Sequence, residues 1–70
     1  MGKLPGINHL NAVKAFERAG FEIIRQSGHI VMSDGRLTIV IPRNNPVNAI
    51  TMLRIIRDSG LTLEQFRKLL

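Results

Sequence analysis

The chain of 70 residues contains no cysteine, tryptophan or tyrosine, and its only aromatic side chains are three phenylalanines. The absence of cysteine excludes a disulfide-stabilised secreted scaffold, a thiol nucleophile and a cysteine-ligated zinc, and it fits a reducing, cytoplasmic compartment. With only Phe16, Phe21 and Phe66, the chain also lacks material for an aromatic surface on which single-stranded nucleic acid could stack. Its length leaves room for one small domain.

Long apolar runs and blocks of like charge are also missing. No stretch approaches the roughly 20 apolar residues that span a bilayer, and the first residues lack the apolar segment of a signal peptide, so we expect no membrane partner. Ten Lys and Arg against five Asp and Glu give a net charge of +5. This charge favours nucleic acid or an acidic protein as partner. The basic residues are spread along the whole chain, so the charge alone marks no site.

The local patterns predict one α+β domain with its elements in the order α-β-β-β-α-α, the last helix being short. An irregular lead-in is expected over residues 1–7, where Pro5 lies between two glycines, and the domain covers residues 8–70. Three stretches rich in β-branched residues predict a three-stranded antiparallel sheet with helices packed on one face. The stretches are Phe21 to Gln26, His29 to Ser33 and Arg36 to Ile41.

Capping residues indicate where the helices begin and end. The first helix follows Asn8 and stops at Gly20. The second is expected to start at Pro46, with Asn45 as its N-cap. A capping box predicts a third helix over residues 63–70. The buried arc expected of the second helix consists of Ala49, Met52, Leu53 and Ile56.

Two-residue turns at Ser27-Gly28 and Asp34-Gly35, each with a glycine that tolerates positive φ, are predicted to join the strands. Because side chains alternate along a strand, these turns determine which residues share a face. The expected core face carries Phe21, Ile23, Ile30, Met32, Leu37, Ile39 and Ile41, with Arg25 at its edge. The expected open face carries Glu22, Ile24, Gln26, His29, Val31, Ser33, Arg36, Thr38 and Val40.

His29, opposite Gln26 in this register, is the best candidate for acid–base chemistry on the open face. Histidine ordinarily titrates near neutral pH, and one that faces solvent exchanges protons readily. The alternative is that His29 is a polar residue at the mouth of a hairpin without any chemistry. His9 is expected in the first turn of the first helix, where a neutral surface role is favoured because a cation there opposes the helix dipole. Two histidines far apart in sequence, without a carboxylate cluster, predict no metal site. A triad of His29 with Asp34 and a nearby serine is disfavoured, because turns favour Asp for local reasons.

The open face also offers candidate contacts for a phosphate and for a protein. Arg25, Arg36 and Arg43 lie on or beside the strands, where they either hold a phosphodiester near His29 or are ordinary solvated side chains. No glycine-rich phosphate loop is present, so we expect no nucleotide cofactor. An apolar patch on this face favours a protein partner or a second copy of the chain. The patch consists of Ile24, Val31 and Val40.

An ordered set of short segments runs through nearly the whole chain. The segments are Ala19-Gly20-Phe21-Glu22, Arg25-Gln26-Ser27-Gly28-His29, Asp34-Gly35-Arg36, Ile41-Pro42, Ile55-Ile56-Arg57-Asp58-Ser59-Gly60-Leu61 and Glu64-Gln65-Phe66. Together they resemble the HicA toxin family, small mRNA interferases of bacterial toxin–antitoxin systems. The turn before the family's catalytic histidine, commonly Gly-Ser-His, reads Ser27-Gly28-His29 here.

The resemblance implies a fold like that of double-stranded-RNA-binding domains, cleavage of mRNA without metal or cofactor, and a HicB-type antitoxin as partner. It makes His29 the catalytic residue, and the apolar patch is where the antitoxin is expected to dock. A non-catalytic RNA-binding module and a protein-interaction domain are the alternatives. The residues expected to contact RNA are Arg25, Gln26, Ser27, Gly28, Arg36 and Arg43.

Overall fold

The structure, a computed structural model, describes residues 6–70 and confirms the predicted α+β class and element order. The elements are α1 (His9–Arg18), β1 (Glu22–Gln26), β2 (His29–Ser33), β3 (Thr38–Pro42), α2 (Ala49–Asp58) and α3 (Leu63–Leu69). The three strands form one antiparallel sheet in the order β1-β2-β3. The ends expected for α1 are also observed, since the Asn8 side chain accepts a hydrogen bond from the Leu10 N–H and Gly20 adopts a φ of 101°.

The core lies between the helices and one face of the sheet. Phe16 is its centre, with ring centroids 5.0 Å from Phe66 and 5.8 Å from Phe21. All three aromatic rings are therefore buried, and the surface has none on which a base could stack. Two leucines expected in the core are exposed instead, Leu37 at 41% and Leu53 at 45%. In α2 the buried residues are Met52, Ile55 and Ile56.

Of the irregular lead-in predicted over residues 1–7, residues 1–5 lie outside the described part of the chain, and no helix or strand of residues 6–70 begins before His9. Ile7 is buried and forms a β-bridge with Val47, in which each N–H donates to the other's carbonyl at 3.1 and 2.7 Å. Val47 is fully buried as well. The bridge therefore fastens the start of α1 to the segment that precedes α2.

This bridge also corrects the predicted start of α2. The helix begins at Ala49 rather than Pro46, and Asn48 is its N-cap, accepting from the Thr51 N–H at 2.8 Å. The Asn45 side-chain oxygen, expected to cap α2, accepts from the His9 backbone N–H at 3.0 Å and lies 2.6 Å from His9 Nδ1. With Val47 paired to Ile7 in an extended segment, the helix cannot include it.

The second hairpin differs from the predicted register by two residues. The pairs are Ser33 with Thr38, Val31 with Val40 and His29 with Pro42. Asp34 to Leu37 therefore form a four-residue connection, β3 begins at Thr38 rather than Arg36, and Leu37 leaves the core face. A shift of two preserves the alternation of side chains, so the faces assigned to β2 and β3 remain correct.

The first hairpin contains a β-bulge at Ile24. Glu22 pairs with Ser33 as expected and Ile23 with Met32, but the next pair is Arg25 with Val31, followed by Gln26 with Ile30. Ile24 is thus an extra residue in β1. After the bulge, each side chain of β1 lies on the opposite face of the sheet from the one that regular alternation predicts. The pairings expected for Gln26 with His29 and Ile24 with Val31 are both wrong.

Candidate functional site

His29 lies on the open face at the end of β2, next to the β1–β2 turn. It is exposed, and its cross-strand neighbour on β3 is Pro42. The alternating residues Ile30 and Met32 are buried on the other face, at 3% and 0% exposure. Within residues 6–70 no hydrogen bond or ion pair engages the His29 ring. The imidazole is therefore available to a ligand on both ring nitrogens.

The bulge moves Arg25 onto the same face as His29. Directly paired residues lie on one face, and Arg25 pairs with Val31, which is two residues from His29 on β2. Arg25 and His29 are thus diagonal neighbours, a position with Cα atoms about 7–8 Å apart and within reach of a long side chain. The expectation that Arg25 lies at the edge of the core face is wrong, because Ile24 takes up the additional position in β1.

Gln26 and Arg43 meet at the same end of the sheet. Gln26 pairs with Ile30, and its side-chain oxygen accepts a hydrogen bond from Arg43 Nη2 at 3.3 Å. Arg43 follows Pro42, the partner of His29, so this contact spans the end of the sheet from β1 to the segment after β3. The structure therefore brings Arg25, Gln26 and Arg43 to the His29 end of the sheet, but only Arg25 shares the face of His29. Gln26 lies on the face of its partner Ile30, so its expected place on the open face is wrong.

Ser27 and Gly28 form the turn directly before His29. The Ser27 N–H donates to the His29 carbonyl at 3.0 Å. Gly28 does not adopt positive φ, contrary to the expectation for this turn, and a Cβ added to it would meet nothing within 4 Å. Of the two hairpin glycines, Gly35 has the expected positive φ, at 94°. The turn before His29 is thus open, with space above its backbone.

Arg36 lies at the opposite end of the hairpin from His29. It belongs to the connection after Ser33, four residues along β2 from His29, a distance of about 13 Å at the usual strand rise. The expected closeness of Arg36 to His29 is therefore wrong within one molecule. The same distance separates His29 from Asp34, so the two cannot belong to one triad.

Asp34 has a local structural role. Its Oδ1 accepts from the Leu37 N–H at 2.7 Å and the Arg36 N–H at 2.9 Å. These two hydrogen bonds, the Leu37 bond first, stabilise the carboxylate and lower the pKa of Asp34 below its ordinary value of 3.8. The Ser33 hydroxyl accepts from the Gly35 N–H at 3.0 Å. The side chains of Ser33 and Asp34 therefore form hydrogen bonds with the backbone of their own connection.

The apolar patch is present on the open face, with a different internal arrangement. Val31 and Val40 are direct cross-strand partners, whereas Val31 was expected opposite Thr38. Val40 is 47% exposed, and the bulged Ile24 is 61% exposed. The patch adjoins Arg25, which shares its row with Val31 and Val40.

The charge around His29 is positive and is not neutralised within residues 6–70. The salt bridge in this part of the chain joins Arg57 and Asp58 of α2 at 3.9 Å. No carboxylate there pairs with Arg25 or Arg43. An anion approaching His29 on the open face would therefore meet the Arg25 guanidinium without competition from an internal carboxylate.

The bulge is the feature of this site that the local pattern did not predict. Its signal is a break in alternation, since Ile23 and Ile24 are consecutive apolar residues and regular alternation would then place the charged Arg25 against the core. A charged residue at a core position of a strand indicates a bulge. The bond between His9 and Asn45 had no comparable signal, because it joins residues 36 positions apart.

No family model, no curated protein and no solved structure matches this chain. In the described part of the chain, no three His, Cys, Asp or Glu side chains are grouped so as to hold a metal ion. Among the helices of residues 6–70, none combines the length and the apolar character needed to cross a bilayer.

Proposed function

We propose that this chain is a toxin of the HicA type, an endoribonuclease that cleaves mRNA with His29 as general acid and base. The observation that carries the proposal is the bulge at Ile24, which places Arg25 diagonal to an exposed and unengaged His29. A proton-transfer group beside a fixed cation is what cleavage of a phosphodiester requires. The resemblance of the ordered segments around these residues supports the same function.

In the proposed reaction the ribose 2′-hydroxyl attacks the adjacent phosphorus while His29 accepts its proton. The bond from phosphorus to the 5′-oxygen of the next nucleotide breaks, and this oxygen takes up a proton from His29 or water. Arg25 offsets the negative charge that develops on the phosphate oxygens, and Arg43 contacts the adjoining RNA backbone at the end of the sheet. The products are a 2′,3′-cyclic phosphate and a 5′-hydroxyl end. No metal ion is needed in this scheme.

The surface chemistry favours contact with the RNA backbone. All aromatic rings are buried, so bases cannot be held by stacking on aromatic side chains, and the cations at the His29 end bind phosphate instead. Gln26 orients Arg43 through their hydrogen bond, and the open turn of Ser27 and Gly28 lets a backbone approach. Arg36 is proposed as an outlying phosphate contact.

A HicB-type antitoxin is the proposed protein partner. The apolar patch of Ile24, Val31 and Val40 is exposed beside Arg25 and His29. A protein that covered this patch would also cover the proposed site, because the two share one face of the sheet. Docking of an antitoxin there would block cleavage directly.

The proposal is tested by incubating the wild-type protein and the His29→Ala variant with a single-stranded RNA in the presence of a chelator. We expect cleavage by the wild type alone, with 2′,3′-cyclic phosphate ends, and none of an RNA whose riboses are 2′-deoxy. Binding by both proteins without cleavage would show an RNA-binding module instead. Absence of both binding and cleavage would favour a protein-interaction domain, and cleavage abolished by the chelator would contradict the metal-free mechanism.

A further inference from the structure

The two edges of the sheet differ in how they are protected against pairing with another strand. The β1 edge carries the bulge at Ile24 and the charged residues Glu22 and Arg25, which are features that discourage strand addition. The β3 edge is a regular strand without a charged residue, Thr38–Pro42, with the sequence TIVIP. Its central residue, Val40, is 47% exposed. The β1 edge is therefore protected along its length, whereas the β3 edge carries only Pro42, at its last residue, against strand addition.

The register shows which backbone groups of β3 point outward. Asp34 N–H donates to the Leu37 carbonyl across the hairpin, and hydrogen-bonded pairs then recur at every second position of an antiparallel ladder. Met32 with Ile39 is accordingly a hydrogen-bonded pair, and Val31 with Val40 is not. The N–H and C=O groups of Thr38 and Val40 thus point away from β2.

Pro42 fits the same assignment. A proline has no N–H to donate, and in a sheet it is tolerated where that position faces outward. Pro42 shares the alternation of Thr38 and Val40. Within residues 6–70 no partner engages the outward N–H groups of Thr38 and Val40. The edge therefore offers main-chain donors and acceptors to another strand.

We propose that a second copy of this chain pairs with this edge, β3 against β3 in antiparallel orientation about Val40. In this arrangement each Val40 N–H donates to the other Val40 carbonyl, and each Thr38 N–H donates to the Pro42 carbonyl of the other copy. The pairing lacks only the bonds that Pro42 cannot donate. The result is one continuous sheet made from both copies, with a twofold axis at Val40.

The occupant is a second copy because β3 is complementary to itself. The pairs formed by the twofold axis are Val40 with Val40 and Thr38 with Pro42, and all are uncharged. Within Thr38–Pro42 the pairing therefore brings no like charges together, and the arginines that approach one another, Arg36 of one copy and Arg43 of the other, lie beyond the ends of the paired strands. On the open face, the row of Val31 and Val40 would continue into the same row of the second copy. The exposed half of Val40 would then be covered.

The pairing also bears on the proposed nuclease site, and this consequence alone rests on the proposed function. Within one molecule Arg36 lies at the far end of the hairpin from His29. In the antiparallel pair, Thr38 of the second copy lies beside Pro42, the partner of His29, so the connection that carries Arg36 of the second copy lies at the His29 end. The dimer would thus supply the outlying phosphate contact that a single chain cannot.

The test uses the absence of cysteine from the chain. A single Val40→Cys substitution puts one thiol on the proposed axis, where paired Cα atoms are about 5.5 Å apart, within the range of roughly 4.4–6.8 Å that a disulfide bridges. A Thr38→Cys substitution serves as the matched control, because its thiols would be more than about 13 Å apart. We expect mild oxidation to link Val40→Cys into covalent dimers and to leave Thr38→Cys monomeric.

Sedimentation of the unmodified protein provides the second measurement. Its mass should rise above 7.9 kDa toward twice that value as the concentration approaches about 1 mM. A Val40→Lys variant should remain monomeric, whereas Ile50→Lys, which adds the same charge at a 75% exposed position of α2, should associate as the wild type does. Equal cross-linking at both cysteine positions, a monomer at all concentrations, or loss of association in Ile50→Lys would each overturn the proposal. None of these outcomes depends on cleavage of RNA.

Discussion

The two ends of β2 carry connections of opposite character. At the Ser33 end, the carboxylate of Asp34 and the hydroxyl of Ser33 bond to the backbone of their own turn, and Gly35 adopts positive φ. At the His29 end, the turn is closed by a backbone hydrogen bond from Ser27, and the His29 side chain has no partner within residues 6–70. Polar side chains thus stabilise the connection at one end, whereas the His29 ring at the other end remains available for a ligand.

A small domain can in this way keep an exposed, unpaired side chain at one end of a strand while the turn at the other end is stabilised by its own side chains. A chain of 70 residues has few residues to commit to each role. Of the two connections of β2, the one at the Ser33 end holds the polar side chains that bond to their own turn, and the bulge places Arg25 on the surface near the other. Substitutions at the two ends should therefore have separable effects. Those at the Ser33 end should change stability, and those at the His29 end should change activity.

The largest expected effect is that of His29→Gln on RNA cleavage. General acid–base catalysis by a single side chain contributes roughly 10²–10⁴-fold to a rate, so the variant should cleave RNA slower by this factor. Its free energy of unfolding should stay within about 0.5 kcal/mol of the wild type, because the His29 side chain is exposed and unengaged. Cleavage time courses and urea denaturation measure the two quantities. A large loss of stability without loss of cleavage would place His29 among the structural residues.

The next effect concerns the arginines at the two ends. A hydrogen bond to a charged group contributes about 1.5–3 kcal/mol, so Arg25→Gln should lower the cleavage rate at least about tenfold. In single-stranded RNA each lost phosphate contact should also reduce the salt dependence of binding by a slope of about 0.7.

Arg36→Gln is the matched control for Arg25→Gln at dilute protein concentration, where the chain is a monomer. It removes the same charge from the far end of the hairpin and should change the cleavage rate less. Equal losses in the two variants would mean that overall charge, and not the position of Arg25 beside His29, governs the interaction with RNA.

Glycine-to-alanine substitutions in the two turns should change the stability of the protein in opposite directions, because the two glycines differ in backbone conformation. Gly35 has a φ of 94°, and an alanine in the left-handed region costs roughly 1–2 kcal/mol. Gly28 does not have positive φ and has no atom within 4 Å of an added Cβ, so Gly28→Ala should stabilise the protein by about 0.4–1 kcal/mol. Urea denaturation of both variants tests this opposite sign. If Gly28→Ala is the more damaging, the turn before His29 has a conformation other than the one described.

Much of the fold was predictable because its signals are local. Asn8 and Gly20 mark the ends of α1, and Thr62 with Gln65 marks the start of α3, through contacts with residues at most a few positions away. The start of α2 was not predictable in this way, since Asn45 and Asn48 are both acceptable N-caps. The contact of Ile7 with Val47 decides between them, and it joins parts of the chain remote in sequence.

The candidate site was predictable in its central residue and not in its surroundings. The alternation of side chains along β2 placed His29 on the open face. A register shift of two residues in the hairpin leaves that assignment unchanged. The position of Arg25 depends on a bulge. The bulge leaves one residue of the strand unpaired, and in return the charged side chain of Arg25 no longer faces the core. Regular alternation assumes that no such exchange occurs. It therefore assigned Arg25 to the core edge and Gln26 to the position opposite His29.

The smallest expected effect is the pH dependence of the connection at the Ser33 end. The folded-state pKa of Asp34 lies below its ordinary value of 3.8, because the Leu37 and Arg36 N–H groups bond to the carboxylate. A lowered pKa means that the ionised form stabilises the folded state above the unfolded-state value, and that this contribution disappears as the pH falls through the folded-state value. Asp34→Asn keeps an acceptor oxygen in the turn and removes the charge. The wild type should therefore be more stable than Asp34→Asn at neutral pH, and urea denaturation should show the gap closing below about pH 4. A gap that stays constant to about pH 3 would mean that the carboxylate charge contributes nothing, and that the turn depends on the geometry of its acceptor alone.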